Sequence, residues 1–259
     1  MKITFLGTGT SMGVPIIGCN CEVCRSDDPR DKRLRTSVLI HHRGKNIVID
    51  TGSDFRQQAL RANIATLDAI LFTHHHVDHV FGLDEIRPIN YLRQKTVSVF
   101  LSQDTLDYLK KIYSYIFARP QHYKDLPRIQ WQVLNGSPFI IDDIPVTPIP
   151  LLHGCLPILG YRIGNFAYCT DVSEIPAESY PLLAGLEVLV LGALRYRPHP
   201  THFTIEQAVE EAQKIAARKT YLVHMSHEVS HQKLSGSLPD TIQPAYDGLV
   251  VTVGEEIRK

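Results

Sequence analysis

The chain has 259 residues, with 27 basic and 27 acidic side chains and a formal net charge of zero. Its 44% hydrophobic and 21% charged content is that of an ordinary globular protein, which excludes a disordered, collagen-like or coiled-coil chain. The charge balance argues against holding nucleic acid through a broad basic field, and 13 histidines direct attention to metal binding and acid–base chemistry.

In chain order, apolar stretches of strand length fall at Lys2–Leu6, Thr36–His41, Asn46–Ile49, Ala69–Phe72, Val97–Leu101, Val146–Leu152, Ala167–Cys169, Val188–Leu191 and Tyr221–Val223. Arg43-Gly44-Lys45 between two of them predicts a hairpin. Helical patterns cover Asp54–Asn63, Gln103–Phe117 and Thr204–Arg218. The last has Ile205, Ala208, Val209, Ala212 and Ile215 on one face and opens with a capping-box pattern from Thr204 to Gln207. Strands mixed with helices, and no repeat or linker, predict one α/β domain over 1–259 with mixed sheets. Residues 113–131, rich in aromatics with Pro120 and Pro127, read as a lid or as a surface excursion. The start lacks a signal-peptide core, and the apolar run Leu186–Leu194, interrupted by Glu187 and Gly192, is far short of a membrane span. A soluble, cytoplasmic protein with no membrane contact is expected.

The chemistry concentrates where strands end. After Ala69–Phe72 come His74, His76, Asp78 and His79 within six residues. Such a group after a buried strand is costly unless something coordinates it. Other strands finish at Asp50, His153, Asp171 and His224, as if converging on one edge, where α/β sites form. Imidazole with carboxylate suits zinc, iron or manganese. With Asp50 set aside to orient a ligand, seven candidates remain, more than the three that one catalytic zinc needs. Seven suit two metals bridged by a carboxylate, an arrangement typical of phosphodiester hydrolysis. Three of the five cysteines lie together as Cys19, Cys21 and Cys24, and in a reducing compartment they read as metal ligands. His227, three residues after His224, is the candidate fourth ligand of a structural zinc.

His74-x-His76-x-Asp78-His79, with downstream His, Asp and His, Phe5-Leu-Gly-Thr-Gly-Thr10 and Asp50-Thr-Gly52, resembles the metallo-β-lactamase superfamily along essentially the whole chain. The resemblance implies a four-layered αββα sandwich. It implies that His74, His76 and His153 bind one metal, that Asp78, His79 and His224 bind a second, and that Asp171 bridges. Asp rather than Cys at 171 sets the chain apart from the β-lactam hydrolases. The cysteine cluster resembles that of PhnP-type phosphodiesterases, and also of PqqB-like proteins. His202, just before a helix start, resembles a histidine that serves the phosphoryl group in tRNA 3′-end-processing nucleases and PhnP-type enzymes; a helix N-terminus behind it favours an anion. Arg195 and Arg197 could grip a phosphate.

The expected function is hydrolysis of a small, cyclic phosphodiester, such as a phosphoribosyl 1,2-cyclic phosphate, by attack of a metal-bound hydroxide. Asp78 would accept a hydrogen bond from it and His202 would act as general acid. Two divalent metals, manganese or zinc, and one structural zinc are implied. The alternatives are a tRNA 3′-processing-type endonuclease, disfavoured by the zero charge, and a thioester or lactam hydrolase. Nucleic acid is the less favoured partner, and a homodimer is open.

Overall fold

The computed structural model describes residues 1–118 and 126–254. The first six strands, β1 (Lys2–Gly7), β2 (Ser37–His42), β3 (Lys45–Ile49), β4 (Ala69–Leu71), β5 (Val97–Leu101) and β6 (Ile129–Val133), lie side by side in sequence order. The next seven, β7 (Phe139–Ile141), β8 (Ile144–His153), β9 (Leu156–Ile163), β10 (Phe166–Cys169), β11 (Val188–Gly192), β12 (Lys219–Val223) and β13 (Ile242–Pro244), form a second sheet, again in order. The last, β14 (Val250–Thr252), returns to pair with β1. Each sheet begins antiparallel and turns parallel: from β3 onward in the first, from β10 onward in the second. The expected hairpin joins β2 to β3, with Arg43 and Gly44 at φ 48° and 72°, the geometry that the right-handed strand twist favours in a two-residue turn.

Side chains alternate between faces. Ile47 and Ile49, Phe166 and Tyr168, and Val188 and Val190 enter the core between the sheets. Their neighbours Val48, Ala167 and Leu189 face outward into two further cores. The helices α1 (Glu22–Arg25), α2 (Phe55–Arg61), α3 (Val77–Val80), α4 (Arg87–Arg93), α5 (Gln103–Ile112), α6 (Ser114–Ala118), α7 (Ile205–Ile215) and α8 (His231–Ser235) complete the fold. Residues from α2 to α6 cover the first sheet, and α7 and α8 cover the second. The result is the expected αββα layering.

The helix expected over Gln103–Phe117 is two, α5 and α6, separated at Tyr113. That segment is not a free excursion, since Tyr113 and Ile116 are buried against the first sheet. Residues 119–125 of the expected lid, His122 among them, lie outside the described residues, and its far end enters β6. Strands β6, β7, β9, β13 and β14 were not expected from the sequence. No helix of the described residues is long and apolar enough to cross a membrane.

Candidate dinuclear metal centre

Strand ends of both sheets meet at one edge of the sandwich, as parallel α/β sheets place their sites. β3 delivers Asp50, β10 delivers Asp171 and β12 delivers His224, each within two residues of its strand. All three adopt left-handed backbone, at φ 63°, 57° and 62°, which no bulky L-residue takes without cost. β8 ends on His153.

β4 runs out through Phe72 and Thr73 to His74 and His76, whose rings meet at 3.0 Å from Nε2 to Nδ1. Helix α3 then starts at once. It is one turn long, and it turns Asp78 and His79 inward while Val77 stays exposed. The Asp50-Thr-Gly segment fixes that turn. Thr51 N–H donates to His79 carbonyl at 2.8 Å, and a Cβ on Gly52 would stand 1.9 Å from the Asp78 carbonyl oxygen, so only glycine allows this approach.

Donor atoms within 4.8 Å of one another form three groups here: His74, His76 and His153; Asp78, His79, Asp171 and His224; and His153, Asp171 and His202. The seven expected ligands thus come together in sets of three and four, with Asp171 also within reach of His153. His79 Nε2 faces Asp78 Oδ2 at 3.2 Å and Asp171 Oδ2 at 3.4 Å. It is buried with no hydrogen-bond partner, as an atom reserved for coordination would be. The donor chemistry and this orphaned nitrogen fit divalent metal ions.

The surrounding contacts fix the imidazoles. Asp50 Oδ2 sits 2.7 Å from His79 Nδ1, so Nδ1 carries the proton and Nε2 is free for metal. The same carboxylate accepts from Thr73 N–H at 2.8 Å and Thr73 Oγ1 at 2.9 Å. His153 Nδ1 donates to Thr201 carbonyl at 2.7 Å, leaving its Nε2 for the site. Thr170 Oγ1 donates to Asp171 Oδ1 at 2.7 Å, and Thr36 Oγ1 lies 3.2 Å from His224 Nδ1. The threonines at 36, 73 and 170 escape a search for ligand types; adjacency to His74 and Asp171 is the signal that would have found two of them.

The electrostatics follow. Burial alone would push His79 down, but Asp171, Asp78 and Asp50 outweigh it and hold its pKa well above the ordinary value. Against burial, His79 holds Asp78 down to about 2, and His224 with His79 holds Asp171 well below its ordinary range. Burial and then the charge of His79 push His74 well down; burial and then His153 also lower His76. A proton on His79 offsets the charge of the carboxylates around it, a part that bound metal cations would take over.

His202 lies at the wall of the site, its ring centroid 4.6 Å from His153 and stacked 5.0 Å from His224. Burial, then the charge of His224, pushes its pKa down to about 3, so the free side chain is neutral at pH 7. The helix behind it is α7, whose capping box is formed as expected: Gln207 N–H donates to Thr204 Oγ1 at 3.1 Å, and Thr204 N–H to Gln207 Oε1 at 2.9 Å. Arg195 and Arg197 already have partners on the protein. Arg197 pairs with Glu228 at 2.7 Å, and Arg195 donates to the carbonyls of Arg197 and Pro198.

The cysteines form a separate cluster with His227. Sγ of Cys19, Cys21 and Cys24 lie 3.3, 3.5 and 3.6 Å from His227 Nδ1. A tetrahedral zinc with ordinary Zn–S and Zn–N lengths separates its sulfur and nitrogen ligands by about 3.5 Å, so the cluster is arranged for one. Helix α1 sets the spacing, with Cys21 at its N-cap accepting from Cys24 N–H. That N–H above all holds the Cys21 thiol down to about 7, while burial pushes Cys24 up to about 11. Cys155 is exposed and Cys169 is buried in the core under the second sheet.

Comparison with known proteins agrees with this geometry. The beta-lactamase superfamily domain matches residues 45–225. The chain is 43% identical to a structurally characterised diphosphatase from the PhnP family, covering 96% of each chain with a TM-score of 0.91. It is 44% identical over 260 residues to an octanoyltransferase of Porphyromonas gingivalis, a match covering 99% of this chain and 52% of that protein. It is 29% identical over 153 residues to a ribonuclease Z of Bradyrhizobium diazoefficiens, covering 56% of this chain and 45% of the other. The chain spans about half the length of the curated relatives it matches.

Proposed function

The chain belongs to the metallo-β-lactamase superfamily, and from that premise we propose that it is a metal-dependent phosphodiesterase acting on a small, cyclic phosphate ester such as a phosphoribosyl 1,2-cyclic phosphate. The observation that carries this is the grouping of seven donors into sets of three and four around Asp171, with His202 at the wall. Divalent metals bound there, manganese or zinc, lower the pKa of water to supply a nucleophile at neutral pH and offset the charge of the phosphoryl group.

The chain's own residues do the rest. His74, His76 and His153 would hold one metal and Asp78, His79 and His224 the other, with Asp171 within reach of both groups. Asp78 also accepts a hydrogen bond from the attacking water. His202, neutral in the free site, donates an N–H to a phosphoryl oxygen. The negative charge of a bound phosphate raises its pKa and so equips it to protonate the leaving alkoxide. Cys19, Cys21, Cys24 and His227 hold a structural zinc, which requires reduced thiols and so a cytoplasmic setting. Arg195 and Arg197, tied up with Glu228 and backbone carbonyls, act on substrate only by exchanging those partners.

A second reading follows from the PhnP-family relative described as a diphosphatase: cleavage of a diphosphate linkage at the same metals. A tRNA-processing activity is disfavoured by the zero net charge. Octanoyl transfer belongs to a protein twice this length and is not carried over. The test is a panel of cyclic, linear and diphosphate esters, a thioester, a lactam and precursor tRNA, assayed with added Mn²⁺ or Zn²⁺. Turnover of a cyclic phosphodiester above all others is expected; preference for tRNA or the thioester would refute the reading. His202→Ala should lower kcat about 100-fold or more with metal content intact; loss of metal in that variant would make His202 a ligand instead. A homodimer is part of the reading and is checked by light scattering.

A further inference from the structure

Arg33 is buried, its side chain fully shielded from solvent, and the phosphodiesterase reading gives it no part. Its guanidinium lies beside the segment that carries His224 and His227. Nη1 donates to the Ser226 carbonyl at 3.0 Å and Nη2 to the Val229 carbonyl at 2.7 Å. These two carbonyls bracket His227. Nη2 also pairs with Asp31 Oδ1 at 2.9 Å, and the same oxygen accepts from His231 N–H at 2.8 Å. The Arg33 backbone is tied to the other side: it exchanges both hydrogen bonds with Val14, at 2.7 and 2.8 Å. Val14 packs against Val23 and Cys24 of the cysteine loop. Upstream of His227, Met225 N–H donates to the Thr8 carbonyl and Thr10 N–H to the Met225 carbonyl.

One residue therefore grips both halves of the cysteine–histidine cluster: the cysteine loop through its backbone and the histidine segment through its side chain. The same segment begins with His224, a donor of the dinuclear group. A buried ion pair is costly, and apolar residues in place of both partners often pack as well or better. Packing alone does not account for a guanidinium aimed at two carbonyls.

We propose that Arg33 is a positioning residue that couples the two metal centres, holding residues 224–229 so that metal at the cysteine cluster pre-sets His224 for the dinuclear site. The proposal rests on the metal-binding part of the reading above and on nothing about the substrate. Coupling of this kind is reciprocal, so each centre raises the affinity of the other by the same factor.

The experiment is a Co²⁺ titration of the full-length, chelator-stripped protein. Thiolate-to-cobalt charge-transfer absorption reports the cysteine cluster alone, and the remaining visible bands report the sulfur-free dinuclear site. In the wild type, Cys21→Ser should weaken Co²⁺ at the dinuclear site about tenfold or more, as loss of an orienting contact does. Arg33→Met should weaken it similarly by itself. Adding Cys21→Ser to Arg33→Met should then change it less than about threefold, because the coupling is already broken. Arg33→Lys, which keeps the charge but spans one carbonyl, should fall between, and it decides the matter if the Met variant does not fold. Additive effects of the two lesions, or wild-type dinuclear affinity in folded Arg33→Met or Arg33→Lys, would overturn the proposal. A wild-type protein with no charge-transfer band would instead refute the metal reading of the cysteine cluster.

Discussion

Replacing Asp50 with Asn separates ligand orientation from folding. The shape hardly changes, but the polarity at one atom does. Oδ1 still accepts the Thr73 N–H at 2.8 Å. The amide nitrogen then takes the place of Oδ2, which now faces Thr73 Oγ1 at 2.9 Å and His79 Nδ1 at 2.7 Å. A donor meets a donor. The relief open to His79 is to move its proton to Nε2, the atom that points at Asp78 and Asp171, and a protonated Nε2 cannot bind metal. Loss of an orienting partner of this kind costs 10–100-fold in metal affinity, or about 1.4–2.7 kcal/mol. The metal-free fold should suffer less. Burial already pushes the Asp50 carboxyl up, so removing its charge also removes a desolvation cost. Chelator competition gives the affinity, and thermal unfolding of stripped and metal-loaded protein gives the stability. Asp50→Asn should lose most of the metal-dependent rise in Tm while the stripped Tm moves little. Unchanged metal affinity, or an equal fall in both Tm values, would refute the orientation argument.

Three further outcomes follow from the same site. Because the surrounding carboxylates hold the His79 pKa well above its ordinary value when no metal is bound, metal binding must displace that proton. Affinity should rise with pH, and calorimetry in buffers of differing ionisation enthalpy should show net proton release; binding without release would contradict the imidazolium. The contribution of His79 to the stability of the stripped protein should run the opposite way. His79, raised above its unfolded value of 6.5, contributes fully below that pH and loses its contribution as pH rises through the folded value. Asp78, held at about 2 against 3.8, contributes above 3.8 and loses it as pH falls through about 2. His74, His76 and His202, held below 6.5, pull the total stability the other way, so the test is the difference between wild type and His79→Gln: the stripped Tm lost in the variant should be larger at about pH 5 than at about pH 9, and a loss independent of pH would count against the carboxylate cage. Finally, Gly52→Ala drives a Cβ to 1.9 Å from the Asp78 carbonyl. It should cost about 1–3 kcal/mol in urea unfolding and displace α3, with loss of metal binding; a fully metallated variant would mean that the turn is free to shift.

The ligand set was legible because each donor follows a run of apolar residues, and a polar group in that position needs a partner. Strand ends at Asp50, His153, Asp171 and His224 point to a shared edge without any knowledge of sheet order. What escaped was short or context-made. Helix α3 has four residues, too few for any periodicity, yet it turns Asp78 and His79 inward. Strand β8 contains Pro148 and Pro150 and still forms, because beyond Val146 its outer side has left β7 and needs fewer donors. The sequence also does not reveal that Glu228 stands beside Arg195 and Arg197. Arg33 drew no notice because a lone arginine reads as surface.

The backbone of the site was the least legible feature and explains the most. Asp50, Asp171 and His224 all adopt left-handed φ, a conformation costing about 1–3 kcal/mol for a non-glycine residue. In each case the donor follows a strand with a parallel neighbour and takes the strained conformation just past its end. Glycine would relieve the strain and remove the donor. The strands on either side are locked by ladder bonds and by the buried alternation of Ile47 and Ile49, Phe166 and Tyr168, and Tyr221 and Val223. The two sheets therefore supply the rigidity that holds three strained donors in one place, and the same rigidity lets contacts such as Asp50 with His79 set which nitrogen faces the metals.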